Sequence, residues 1–148
     1  MFNQTVNHYK ELWEKIMPTV PVDDIESVAS TSGIHNLKEE MLSNSKEFKD
    51  FAYLIANQRP GSVTQIGYAC TVASIADKYN IPYKRYAGTC ITKTSPKYDE
   101  LVDQFNRGKA EGKEHPLIAT HVYITINGKT YEYFNGFDDI EHLDVVEF

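Results

Sequence analysis

Apolar positions recur at helical spacing through the first half of the chain and alternate one-by-one in its last third. Val6, Tyr9, Trp13 and Ile16 fall on one face of a helix predicted over 4–16, with charges opposite. Pro18 and Pro21 stop it, and Asp23 or Asp24 is placed to cap a short turn of helix holding Ile25 and Val28. Ser32-Gly33 breaks that turn, and Ile34, Leu37 and Met41 mark another helical segment. From Lys46 to Gln58 the stripe Phe48, Phe51, Ala52, Ile55 predicts a helix ended by Arg59-Pro60-Gly61-Ser62. The stretch Gln65 to Tyr79 reads as a glycine-containing turn entering a short helix with Cys70 at or near its start. Val72, Ile75, Ala76 and Tyr79 are that helix's apolar face, and it stops near Asn80.

Tyr83 to Ala87 then reads as a strand closed by Gly88. Ser95-Pro96 supplies an N-cap and a first-turn proline for a helix whose apolar face is Tyr98, Leu101, Val102 and Phe105. Gly108 to His115 is a polar connection. Beyond Leu117, Val122, Ile124 and Ile126 alternate with His121, Tyr123 and Thr125. Asn127-Gly128 is the strongest short hairpin signal, with Lys129 to Phe134 returning and Ile140 to Phe148 adding an edge strand. Helices first and sheet later predict an α+β fold: a helical region over 1–60 packed on a helix plus antiparallel sheet over 61–148, in one domain.

Composition narrows the function classes. A chain of 148 residues with 41% hydrophobic and 24% charged residues can bury an ordinary core. Its formal net charge of −6 argues against nucleic acid, which calls for clustered Lys and Arg. No apolar run reaches the roughly 18 residues of a membrane span, and the start lacks a signal-peptide layout. The expected setting is therefore cytoplasmic, with no membrane partner. The two cysteines and five histidines show no C-x-x-C or H-x-x-x-H spacing, so neither a metal nor a cofactor is expected.

The candidate chemistry is nucleophilic. Helical geometry turns Cys70 roughly 160° from Val72, away from the predicted core stripe. A thiol at a helix N-terminus feels the positive end of the dipole, which favours the thiolate. His121 opens the first hairpin strand and Asn135 ends the second. With a two-residue loop His121 faces Phe134 and Asn135 lies diagonal; with a three-residue loop Asn135 faces His121 directly. Either register starts them within about 8 Å, so Asn135 can orient the imidazole. The Cys70 N–H and the Gln65 side chain can supply oxyanion donors. Asp138 and Asp139 are alternatives to Asn135, and His115 or Cys90 are alternatives for the pair itself.

Gln65, a helix-opening Cys70, then His121 and Asn135 on successive strands together resemble the papain-like cysteine peptidase superfamily. The piece Gln65 to Ala76 is similar to the bacteriocin-processing branch. Cys70, then Ile81-Pro82 and His121-Val-Tyr, look like the transglutaminase-like branch, although Asn135 stands where that branch has Asp. The resemblance covers about residues 61–136 and implies a thiol enzyme acting on an amide or isopeptide bond, by hydrolysis or acyl transfer. Cys70 would attack, His121 would be base and then acid, and the partner would be a peptide or protein substrate. A non-catalytic binding or inhibitory protein on the same fold is the second expectation.

Overall fold

The structure, a computed structural model, describes residues 2–58, 64–111, 119–133 and 140–148. The helices come first: α1 (Phe2–Ile16), α2 (Ile25–Thr31), α3 (Leu37–Ser43), α4 (Lys46–Asn57) and α5 (Thr64–Lys78). They are followed by strand β1 (Lys84–Thr92), helix α6 (Tyr98–Ala110) and strands β2 (Ala119–Ile126), β3 (Lys129–Tyr131) and β4 (Ile140–Glu147). The strands form one antiparallel sheet in the order β3-β2-β1-β4. The predicted α+β architecture, helices before an antiparallel sheet, is what the chain adopts.

Local chemistry sets most helix boundaries. The Ser45 side chain accepts from the Phe48 N–H at the start of α4, and Asn36 does the same for Glu39 at the start of α3. Asp24 occupies the N-cap position of α2 without a side-chain bond. Asn44 ends α3 in the left-handed conformation, φ 50°. The last carbonyls of α3 then find partners on β3. Tyr131 donates its hydroxyl to the Met41 carbonyl at 2.6 Å, and Lys129 Nζ donates to that of Leu42 at 3.0 Å. These bonds satisfy groups a helix end leaves open and pin the hairpin to the helical layer.

The sheet has two unlike faces, because side chains alternate along each strand. Ala87, Val122, Ile124, Ile126 and Tyr131 point into the core shared with α1–α5. Tyr86, His121, Tyr123 and Glu132 point the other way. Tyr86 and Tyr123 are cross-strand partners with rings 5.3 Å apart, and His121 stacks on Tyr123 at 5.7 Å. The hairpin has the strict two-residue loop: Ile126 pairs with Lys129, and Asn127 and Gly128 both take positive φ.

Helix α6 runs on to Ala110, past the Gly108 expected to open a polar connection, and β3 stops at Tyr131, short of the expected returning strand; two further differences bear on the site. Strand β1 continues through Gly88 to Thr92, because it is a central strand paired on both sides and cross-strand bonding outweighs a glycine's weak strand preference. Helix α5 starts at Thr64, so the stretch read as a turn before Cys70 is helix. Every residue from Ile66 to Ala76 is buried, Gly67 included. Packed between α4, α1 and β2, this stretch is enclosed all round, and the helix meets solvent only at its ends, as at Asp77.

The first helix gains a role the sequence did not disclose. Trp13 meets Phe148 edge-on at 5.9 Å, and the Arg85 guanidinium lies 5.1 Å from the Trp13 ring centre and 4.5 Å from that of Phe148. Arg85 Nε also donates to the Phe148 carbonyl at 2.7 Å. Residues far apart in sequence are thereby joined at one end of the sheet.

Candidate functional site

The predicted nucleophile sits in the core. Cys70 is the seventh residue of the 15-residue α5, not its start, and its side chain is fully buried. Seven residues in, the helix-end dipole has faded. Burial pushes the Cys70 thiol up to about 12, with the Arg85 charge pulling weakly the other way. That is the reverse of the lowered value expected for a helix-start thiol. The helix is not one-sided at this point: with Ile66 to Ala76 all buried, turning away from Val72 does not bring Cys70 to solvent.

Of the other predicted residues, the described ones, Gln65 and His121, do not gather round Cys70. Gln65 is half-buried at the second position of α5, five residues and about 7.5 Å of helical rise from Cys70. His121 projects from the sheet face opposite the core that holds Cys70, so the sheet lies between thiol and imidazole. Asn135, with Asp138, Asp139 and His115, lies outside the described residues, and so does the side chain of Cys90.

What His121 does meet is Glu132. Its Nε2 lies 2.7 Å from Glu132 Oε2, and His142 Nε2 approaches the same oxygen at 3.1 Å. Burial works against the Glu132 charge, but the hydrogen bonds from His121 and His142 and the charge of the two rings outweigh it and hold the carboxyl at about 2. Glu132 is therefore an ionised acceptor to which both Nε2 atoms donate. Glu132 thus orients the His121 imidazole through its Nε2. The strict hairpin register places Glu132 opposite Tyr123, beside His121.

Two of the side chains come from strands and the third from the residue just past one. Glu132 follows β3, His121 belongs to β2 and His142 to β4, with β1 lying between the two histidines. Two strand spacings are roughly 10 Å, yet the imidazole centres are 5.8 Å apart and nearly parallel, at 10°. Gly88 makes this possible. It is paired directly with His121 on β1 and presents no side chain to the outer face, so His142 reaches across to stack on Tyr123 at 4.4 Å. A register shift at Thr89/Cys90 puts His142 opposite Cys90, one outward position along from Gly88.

The cluster is enclosed on one side and open on another. His121 is 1% exposed, while His142 and Glu132 are 23% and 24% exposed. Each residue offers one ligand atom, and these atoms lie within 4.8 Å of one another. Spacing motifs along the sequence could not reveal the group, since its members sit on or just past separate strands. The available signal was strand alternation, which puts His121, Tyr123 and Glu132 on one face once the Asn127-Gly128 register is fixed.

Comparison with protein-family models, with curated proteins and with solved structures finds no match to this chain. Its reading rests on its own geometry. No helix among the described residues is long and apolar enough to cross a membrane.

Proposed function

We propose that this chain is a non-catalytic binding protein that meets a protein partner through its acidic surface. The observation that carries the reading is the enclosure of Cys70 in the core with His121 on the far face of the sheet. Thiol catalysis requires a sulfur that a carbonyl carbon can reach and an imidazole beside it to take the proton. An excess of six negative charges favours a partner with a complementary basic surface, with electrostatics speeding encounter more than deepening affinity. The finer fold proposal, a papain-like core, belongs to the same reading. A cysteine-bearing helix packed on an antiparallel sheet whose hairpin carries a histidine supports it.

Site-resolved alkylation tests the reading. With a thiol held at about 12, the thiolate fraction at about pH 8 is roughly 10³-fold below that of a free cysteine. Iodoacetamide is expected to label Cys70 only as fast as the protein opens, with no dependence on His121. Labelling of folded protein at the free-cysteine rate, slowed by His121→Ala, would restore the thiol enzyme and remove the binding reading.

A further inference from the structure

We propose that His121, Glu132 and His142 bind a divalent transition-metal ion of the zinc class, leaving open positions toward solvent. The reading is independent of Cys70 and of the protein-partner proposal, because the cluster lies on the other face of the sheet.

Three observations converge. The donor set is two imidazoles and one carboxylate, which suits zinc and its neighbours rather than calcium or magnesium, whose sites are built from oxygen. The approach distances are 2.7 and 3.1 Å to one carboxylate oxygen. Ligands held about 2.0–2.2 Å from a common tetrahedral ion stand about 3.3–3.6 Å apart, so admitting the ion asks the imidazoles to draw back from the shared oxygen by roughly 0.2–0.9 Å, in a cluster whose ligand atoms all lie within 4.8 Å of one another. The partly exposed His142 and Glu132 side chains can make these shifts. The third observation is convergence from two strands and the end of a third over a residue without a side chain. The second imidazole crosses β1 above Gly88 to reach the same carboxylate oxygen that the first already meets, so all three ligand atoms face one point.

The surroundings fit a ligand set. Tyr123 stacks on both imidazoles, at 5.7 Å from His121 and 4.4 Å from His142, which holds the planes nearly parallel. When the ion enters, each Nε2 gives up its hydrogen and donates its lone pair. A ring that was neutral takes up a proton at Nδ1 in its place, and a ring that was charged releases the Nε2 proton with none taken up. Three protein ligands leave at least one position of a tetrahedral ion for water. The more exposed side of the cluster, at His142 and Glu132, is where that water would sit.

The test is titration of chelator-treated protein with Zn²⁺ by calorimetry and with Co²⁺ by absorbance, in wild type, Glu132→Gln and His142→Ala. One ion per chain is expected, with affinity in the micromolar range or tighter and roughly tenfold or more weaker in either variant. A second readout uses only the wild-type chain: Co²⁺ should shift the ring resonances of His121 and His142 far more than those of His8 and His35. No saturable uptake to about 1 mM, equal uptake by the variants, or larger shifts at His8 and His35 would each overturn the proposal.

Discussion

Replacing Glu132 by Gln keeps the shape of the side chain and removes its charge, so it isolates what the carboxylate contributes to folding. In the native chain the group falls from the ordinary 4.5 to about 2. At about 1.4 kcal/mol per tenfold change in an ionisation constant, that drop is worth about 3 kcal/mol. The side chain is 24% exposed, so solvent screening takes only a modest share. The sign follows from linkage: a carboxyl depressed by folding stabilises above its unfolded value and loses that contribution as pH falls through its folded one. The window therefore runs from about 4.5 down to about 2. Urea unfolding with chelator present, followed by circular dichroism from about pH 6 to about pH 3, is the assay. Glu132→Gln should be about 3 kcal/mol less stable at about pH 6, and the gap should narrow steadily below about pH 4.5. Equal stability at about pH 6, or a gap indifferent to pH, would refute the account of the cluster.

Other consequences are simpler. Tyr131→Phe strips the buried hydroxyl from the Met41 carbonyl and should cost about 1–2 kcal/mol in chemical denaturation. Ser45→Ala removes the N-cap bond to Phe48 and should cost about 1 kcal/mol, read the same way. Gly88→Val puts a side chain on the outer face opposite His121; the His142 ring should lose its stacking shift from Tyr123 in NMR spectra, while that of His35 stays put.

Helix positions were legible because amphipathic stripes and caps are local. Phe48, Phe51, Ala52 and Ile55 and the cap at Ser45 can be seen in a dozen residues of sequence, and the structure builds α4 from them. The hairpin was legible for the same reason in Asn127-Gly128, although its loop length, and with it the register, was left open until the structure paired Ile126 with Lys129. Burial of α5 was not. A four-residue stripe looks one-sided until α1, α4 and β2 are seen to close round the helix, and only then does Cys70 join the core. The histidine–glutamate cluster was hidden more deeply. It depends on sheet order, on a register shift at Thr89/Cys90 and on a missing side chain at Gly88, and each of these is long-range or negative information.

The order of the strands also says when the cluster can form. The β2–β3 hairpin closes through two residues and can form within microseconds, bringing His121 and Glu132 together early. His142 arrives only when β4 docks on β1, a pairing that spans α6 and the whole hairpin and carries the entropic cost of a long loop. The second imidazole is thus a late arrival on the folding path. Its ring resonance reports completion of the sheet, which neither helix content nor hairpin formation would reveal.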